Sequence, residues 1–415
     1  MNLKDQFLGA RAASRTLSML SEEKINSVLL KLSEQTLART EEILAANAKD
    51  LALYDISNPL YDRLLLTTER VAAIAADIAN VASLTSPVGQ ILSSIVRPNG
   101  MQIDKVRVPF GVIGVIYEAR PNVSFDVFAL CFKSSNASLL KGGSDAQHSN
   151  RTIVGIIRDV LRAEGIDERV VTLLPAEREA THELLGAVGY VDLIIPRGGR
   201  SLIDYVRDNS RVPVIETGAG VCHTYIDKYA DVEKAAAIVN NAKTRRVSVC
   251  NALDTIVVHR QKIADLVAIC QPMASKNVTI YADEQSYSAL DGSYPAELLV
   301  HAEPCHFGVE FLDYKLSIRC VESLSTAIEH VTQHTSQHSE AIVTEDDQRA
   351  ERYYKMIDAA CVYVNVSTAF TDGAQFGMGA EIGISTQKMH ARGPMALSEL
   401  TVYKYIIRGE GQIRG

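Results

Sequence analysis

The stretch Val112–Lys141, VIGVIYEARPNVSFDVFALCFKSSNASLLK, decides the fold class. It starts with the apolar run VIGVIY, passes through a helical pattern over 123–133 and ends on the apolar run ASLLK. Short continuous apolar runs that alternate with helices are typical of parallel strands buried on both faces. The stretch therefore predicts one βα unit of a parallel sheet.

The same alternation continues on the C-terminal side. Helical patterns at 148–164, 178–188 and 201–209 separate the runs VVTLL, DLIIP and VPVIE. After Cys250 a second series has the strand candidates TIVVH, VTIYA, LSIRCV, EAIVT and CVYVNV, with helices at 262–270, 325–333 and 346–357. The sequence thus predicts an α/β fold with two related parallel-sheet domains.

The chain outside these series has a different pattern. Residues 3–84 carry apolar positions at helical spacing. Ile91–Val96 and Met101–Val108 predict a hairpin around the turn RPNG, in which proline presets φ and glycine accepts positive φ. The ending TVYKYIIRGEGQIRG alternates like a strand, and we expect such an exposed strand to pair with another element, for which another subunit is one candidate.

Composition limits the classes of function. The 415 residues include 42 basic and 50 acidic residues, a formal net charge of -8 without long runs, which argues against a nucleic-acid surface. The start MNLKDQFLGARAAS lacks an apolar signal core, and the longest apolar run is too short for a membrane span. Seven cysteines without a CxxC pair predict a reducing compartment. We expect a cytoplasmic protein with small-molecule partners, no nucleic acid and no membrane.

The segment RRVSVCNALD, Arg245–Asp254, places Cys250 on a loop between a helix that ends near Lys243 and a strand at Thr255. Arg245 and Arg246 favour the thiolate, which is the form that attacks carbonyl carbon. The alternative that Cys250 is only a small buried residue stays open at this point.

Two glycine turns follow apolar strands and precede helices. They are KGGS, Lys141–Ser144, and PRGGR, Pro196–Arg200, and such turns can present backbone N–H groups to a phosphate. Glycine is common in strand-to-helix turns, and the chain has no GxGxxG fingerprint. The histidines at 330, 334 and 338 lack the glutamate of HExxH and a third ligand, which predicts a solvated helix face and no metal.

Seven segments together resemble the gamma-glutamyl phosphate reductases, a family in the aldehyde dehydrogenase superfamily. They are VIGVIYEARPNVSFD, SLLKGGSDA, VDLIIPRGGRSLI, GVCHTYID, NAKTRRVSVCNALDT, VYVNVSTAFTDGAQFG and GAEIGISTQKMHARGPMALSELTVYKY. The resemblance extends over nearly the whole chain. It implies NADPH-dependent reduction of L-glutamate 5-phosphate to L-glutamate 5-semialdehyde with release of phosphate, in proline biosynthesis.

The resemblance also implies roles for individual residues. Cys250 matches the nucleophile that forms a thioester, Asn122 matches the asparagine at the acyl oxygen, and Glu216 resembles the glutamate that activates water in oxidising relatives. The arginines that could grip phosphate or carboxylate are Arg120, Arg245 and Arg246. The residues expected at the cofactor are Lys141, Gly142, Ser144, Gly198, Gly199 and Glu310.

The chain departs from the family pattern near the cysteine. The family usually has Gln-Arg-Pro where this chain has Arg245-Arg246-Val247, and arginine where it has Ala369. The resemblance implies a cofactor domain at 1–90 and 109–218, a catalytic domain at 219–385, and an oligomerisation element of 91–108 and 400–415. We therefore expect a homo-oligomer, and the resemblance leaves open an association with glutamate 5-kinase.

Three rival functions remain at this stage. An aldehyde dehydrogenase would oxidise a semialdehyde with NAD(P) and water, and Glu216 would then be essential. A cysteine acyltransferase or hydrolase would need a histidine base, for which His223 is the candidate. A non-catalytic scaffold would bind no cofactor.

Overall fold

The computed structural model of the chain describes residues 3–56 and 59–414. The chain divides into two compact units. One consists of Met1–Thr217, Gly377–Gly383 and Met395–Gly415, and the other of Gly218–Phe376 and Ile384–Pro394.

The first unit opens with helices, as the sequence predicts. They are α1 (Lys4–Leu17), α2 (Glu22–Ala38), α3 (Thr40–Leu51), α4 (Pro59–Leu64) and α5 (Thr68–Ser83). Ser21 and Thr67 accept the N–H groups of Lys24 and Arg70, which caps the starts of α2 and α5. The hairpin follows as β1 (Ile91–Val96) and β2 (Gln102–Pro109), which pair antiparallel. Both predictions are confirmed.

The rest of the first unit is a run of βα units. Its elements are β3 (Val112–Tyr117), α6 (Val123–Lys133), β4 (Ala137–Gly142), α7 (Gln147–Ala163), β5 (Val171–Leu173), α8 (Arg178–Leu185), β6 (Leu193–Arg197) and α9 (Arg200–Asn209). The four strands form a parallel sheet in the order β5-β4-β3-β6. Every residue of β3 and β4 is buried, as strands covered on both faces require.

The run VPVIE is not a strand, which corrects the prediction. Val214 makes only an isolated bridge to Ile194. Pro213 has no backbone N–H to donate, so the ladder beside β6 cannot extend through it.

The second unit contains a seven-stranded parallel sheet. Its elements are β7 (Cys222–Ile226), α10 (Val232–Thr244), β8 (Leu253–His259), α11 (Leu266–Ala274), β9 (Thr279–Ala282), α12 (Glu284–Leu290), β10 (Leu299–His301), β11 (Lys315–Val321), α13 (Leu324–His334), β12 (Ser339–Val343), α14 (Asp347–Met356) and β13 (Cys361–Val364). The strand order is β10-β9-β11-β8-β7-β12-β13. The sequence did not predict β7 or β10. Polar His223 and Thr224 interrupt the apolar run of β7 although both are buried.

Three more strands complete the chain, β14 (Gly383–Ser385), β15 (Gly393–Met395) and β16 (Thr401–Arg408). The C-terminal strand joins the hairpin of its own chain, and its pairing with another subunit stays a prediction. Over its whole length β16 pairs antiparallel with β2 of the same chain, giving a sheet in the order β1-β2-β16. Most residues of β1 and β16 are exposed, so the sheet has large apolar side chains on its surface.

No helix among the described residues has the length and apolar character needed to cross a membrane.

Candidate active site

Cys250 lies on the loop that joins α10 to β8, which we call the nucleophile loop and define as residues 245–252. The sequence predicted this position, and the side chain is half-buried. Asp231 caps the start of α10 by accepting the N–H of Lys234 at 2.8 Å, and every residue of β8 is buried. The loop therefore projects from two firmly placed elements.

Asn251 ties the nucleophile loop to the segment that follows β13. Its side-chain Nδ2 donates to the carbonyl oxygen of Thr371 at 2.9 Å. Its main-chain carbonyl oxygen accepts from Oγ1 of Thr368 at 2.8 Å. Nδ2 also lies 3.4 Å from the carbonyl oxygen of Ala369. The departure from the family pattern at Ala369 thus lies directly against the residue after Cys250.

Two residues, Gly220 just before β7 and Cys222 at its start, pack against the main chain of Cys250. A Cβ atom on Gly220 would lie 1.6 Å from the carbonyl oxygen of Cys250, so only glycine fits there. The Sγ of Cys222 donates to the same oxygen at 3.2 Å. The N–H of Gly220 in turn donates to Oε1 of Glu310 at 2.9 Å, which brings the predicted cofactor glutamate to the nucleophile segment.

Arg245 and Arg246 are exposed on the loop, whereas Val247 is half-buried. Within the described part of the chain, no carboxylate lies at ion-pair distance from either guanidinium. Both cations are therefore available to an anion from solution.

The remaining cysteines do not compete with Cys250. Cys305 is exposed, and the other five are buried inside strands or helices, at 131, 222, 270, 320 and 361. Burial raises the pKa of Cys131 to about 12 and that of Cys320 to about 11. Because the thiolate is the reactive form, these buried thiols are poor nucleophiles.

Asn122 lies in the first unit, at the turn from β3 to α6. Its Nδ2 donates to Oδ2 of Asp126 at 2.8 Å, and burial raises the pKa of Asp126 to about 6. Ala119 in the same turn has a φ of 33°, a conformation that is uncommon without glycine. Arg120 follows it and is exposed. The turn is held in an unusual shape, and Asp126 orients the Asn122 amide.

Glu216 also belongs to the first unit, just after the Val214 bridge. Its Oε2 lies 3.7 Å from Nη1 of Arg207 on α9, and the Glu216 side chain is half-buried. This ion pair is a structural reason for a carboxylate at this position.

A cavity of about 350 Å³ lies in the first unit between α7 and the carboxyl ends of β4 and β5. It is lined by Gly142, Gly143, Arg151 and Glu177 among others. Ligand sites in open α/β sheets lie at this edge of the strands. The volume falls in the range of small-molecule pockets.

Lys141 is the second-last residue of β4 and lies beside this cavity. Its Nζ donates to the carbonyl oxygen of Ala176 at 2.8 Å, and burial lowers its pKa although Glu177 and Asp145 oppose the shift. Ser144 is exposed at the start of the next turn. A Cβ on Gly142 would lie 2.3 Å from Nδ2 of Asn150, which explains the glycine at that position by packing.

Gly198 and Gly199 precede α9, and both are exposed. The N–H of Gly199 donates to Oε2 of Glu118 at 2.9 Å. A Cβ on Gly198 would lie 2.5 Å from the same oxygen. The sequence predicted that N–H groups of this turn bind a phosphate. In this structure the N–H of Gly199 donates to the carboxylate of Glu118 instead.

The histidine pattern does not form the expected solvated face. α13 ends at His334, and His338 lies beyond it, fully buried, with its pKa lowered to about 4 by burial. His330 and His334 are half-buried, and their rings contact the ring of Phe307. Among the residues that the structure describes, no group of three or more His, Cys, Asp or Glu side chains could hold a metal ion.

His223, the candidate base of the hydrolase hypothesis, is also buried. Its Nδ1 lies 3.0 Å from Oε2 of Glu340 on the neighbouring strand. This contact satisfies one ring nitrogen inside the sheet.

Sequence reasoning missed several residues that shape these sites. Asp126 could have been found from its i,i+4 spacing to Asn122 on a helix. No comparable signal existed for Gly220, Asn251 and Glu118. Each of these residues contacts a partner that is 30 or more residues away in the sequence.

Comparisons with known proteins agree with the resemblance. Residues 3–286 match the model of the aldehyde dehydrogenase family. The gamma-glutamyl phosphate reductase of Bacteroides fragilis is 60% identical over 414 residues, covering 100% of both chains. The crystal structure of the gamma-glutamyl phosphate reductase of Thermotoga maritima has a TM-score of 0.95 at 40% identity, with 100% of both chains covered.

A more distant structure shares the fold alone. An engineered glycolyl-CoA reductase with bound NADP⁺ has a TM-score of 0.69 at 16% identity and covers 98% of this chain and 96% of its own. The family model and the full-length identities are decisive, and the chain belongs to the aldehyde dehydrogenase family, among its gamma-glutamyl phosphate reductases.

Proposed function

We propose that the chain reduces L-glutamate 5-phosphate to L-glutamate 5-semialdehyde and phosphate with NADPH, in proline biosynthesis. The reductases to which it is 60% identical over full length support this substrate. The observation that carries the mechanism is the half-buried thiol of Cys250 on a loop with two exposed arginines.

The chemistry follows from the acyl phosphate. The Cys250 thiolate attacks the acyl carbon, a C–S bond forms, the C–O bond to phosphate breaks, and inorganic phosphate leaves. NADPH, when bound, supplies the hydride for the acyl carbon. The tetrahedral alkoxide on Cys250 then collapses. Its C–S bond breaks, the C=O bond forms again, and the aldehyde leaves while Cys250 returns to the thiolate.

Positive and neutral donors support these steps. Arg245 and Arg246 carry charge that favours the thiolate and can hold phosphate or carboxylate with their planar forks. Asn122 keeps its predicted role as the donor to the acyl oxygen, and Arg120 its predicted role as a substrate arginine. A reductase needs no hydrolytic water, so we assign Glu216 a structural role through Arg207.

The cavity at the carboxyl ends of β4 and β5 fits the adenosine part of a nicotinamide cofactor. The exposed Arg151 lines the cavity and Lys141 lies beside it, so both bring positive charge, and Gly143 leaves room for a ligand. We assign Lys141 to the 2′-phosphate of NADPH, Ser144 to the same ribose, and Glu310 to the nicotinamide ribose. Gly198 and Gly199 serve the pyrophosphate only if Glu118 gives up the N–H of Gly199.

The remaining proposals concern the whole protein. The apolar side chains exposed on the sheet β1-β2-β16 favour self-association into a homo-oligomer through that sheet. We also propose a cytoplasmic location. Association with glutamate 5-kinase stays a prediction, based on the instability of the acyl phosphate.

The reverse reaction tests the function against the oxidising dehydrogenase. By microscopic reversibility, the phosphate that leaves in the forward direction is the nucleophile in the reverse direction. With glutamate 5-semialdehyde and NADP⁺, we expect NADPH to form in proportion to added phosphate and almost not at all without it. Phosphate-independent formation at a similar rate would overturn the proposal and favour a hydrolytic dehydrogenase.

A further inference from the structure

A buried ion pair closes the base of the nucleophile loop. Lys243 is the second-last residue of α10, and Asp254 is the second residue of β8. Nζ of Lys243 lies 3.7 Å from Oδ1 of Asp254, and the two side chains are 0% and 2% exposed. Among the described residues, this Nζ has no hydrogen-bond partner.

The Asp254 carboxylate also holds two main-chain segments. Oδ1 accepts the N–H of Phe311 at 3.1 Å, and Oδ2 accepts the N–H of Cys222 at 3.4 Å. Cys222 donates through Sγ to the carbonyl oxygen of Cys250, and the residue before Phe311 is Glu310. One carboxylate thus binds both Cys222, which contacts Cys250, and Phe311, which is adjacent to Glu310.

Stability alone does not account for this pair. Two charges that leave water lose hydration that their attraction often fails to recover, and apolar replacements of similar volume are often as stable. Burial raises the pKa of Asp254 to about 7 and lowers that of Lys243, and the charge of each residue partly opposes the shift of the other. The other charged or titratable groups that act on it are Asp313, Glu310 and Cys222. Because burying the Lys243–Asp254 pair costs electrostatic free energy, we infer that the pair has a role besides stability.

We propose that Asp254 and Lys243 are positioning residues that fix the Cys250 main chain and Glu310 relative to each other. Asp254 acts through the N–H groups of Cys222 and Phe311, and the nearby charge of Lys243 favours the ionised form of its carboxyl group. This inference rests on the proposed function for Cys250 and Glu310. It assigns a role in turnover to two residues that touch neither substrate nor cofactor.

The test compares Asp254→Asn with the double variant Lys243→Met/Asp254→Leu. The single variant leaves the Lys243 charge unpaired, and we expect it to lower both thermal stability and kcat. The double variant removes both charges and should recover stability. Its kcat should stay roughly 100-fold below that of the unaltered chain, as expected for reacting groups displaced by about 1 Å.

Asp227→Asn is the matched control. Asp227 follows β7 at the end away from Cys222, is buried, and pairs with Arg349. This variant also leaves a cation, Arg349, without its carboxylate, so thermal stability should fall. The kcat per folded molecule should be unchanged. A double variant that regains both stability and full kcat would overturn the positioning role.

A second measurement does not depend on the substrate. The rate at which iodoacetamide alkylates Cys250, followed by peptide mass spectrometry, reports the environment of the thiol. We expect slower alkylation in Asp254→Asn and in the milder variant Cys222→Ala, and an unchanged rate in Asp227→Asn. Equal rates in all four proteins would overturn the inference. If the unaltered chain instead shows no reductase activity, only the proposed function fails. The alkylation rates would still show whether each substitution changes the environment of Cys250.

Discussion

Gly220 packs against the carbonyl group of Cys250 so closely that a Cβ atom at residue 220 would lie 1.6 Å from the oxygen and 2.8 Å from Cα of Cys250. Both contacts involve main-chain atoms of the nucleophile loop, which cannot rotate away as a flexible side chain can. The position of the Cys250 thiol therefore depends on a glycine 30 residues earlier in the chain.

Gly220→Ala should displace the nucleophile loop and lower kcat about 100-fold or more, because a shift near 1 Å misplaces the reacting atoms. Steady-state kinetics measures this, and the cofactor Kd, followed by fluorescence, should change much less than kcat. Gly186→Ala is the control, because its Cβ would make only ordinary contacts beyond 3.5 Å. Normal turnover in Gly220→Ala would show that the loop tolerates the added atom.

Cys250→Ser should reduce turnover roughly a thousandfold or more, because a hydroxyl of high pKa cannot replace the thiolate. NADPH binding should persist, which isothermal titration can measure. Cys305→Ser, at an exposed thiol outside the nucleophile loop, serves as the comparison and should be fully active. Near-normal turnover in Cys250→Ser would refute the thioester mechanism.

The sequence predicted those parts of the site whose signals are local. Cys250 was predicted to lie on a loop because a helical pattern ends just before it and an apolar strand begins just after it. The two arginines beside it pointed to a reactive thiol. The contacts that fix the loop were not predictable, since Asn251 meets Thr371 and Asp254 meets Phe311 only after distant strands join one sheet. The strand β7 was missed because the pattern counts His223 as polar, although this residue is buried with its Nδ1 against Glu340.

Lys141 is the residue that we assign to the 2′-phosphate of NADPH, so its replacement should change the cofactor preference. Lys141→Met should raise the KM for NADPH by roughly 10- to 100-fold while leaving that for NADH within a few-fold, because a hydrogen bond between charged groups contributes about 1.5–3 kcal/mol. Initial rates with both cofactors test this. Lys31→Met removes a half-exposed lysine on α2 that pairs with Glu164 and should alter neither KM. Equal losses with NADPH and NADH would mean that Lys141 does not contact the 2′-phosphate.

His338 should make the free energy of unfolding depend on pH. The ring is fully buried, and burial lowers its pKa from 6.5 to about 4 in the folded chain. As the pH falls, the unfolded chain takes up the proton first, so the stability that neutral His338 contributes is complete above pH 6.5 and is lost progressively towards pH 4. Urea unfolding at pH 7.5 and 4.5 should therefore show a loss that is about 2–3 kcal/mol smaller in His338→Gln than in the unaltered chain. His148→Gln, at an exposed histidine, should keep the original pH dependence. If His338→Gln and the unaltered chain lose the same stability over this range, the buried ring is not the group that titrates.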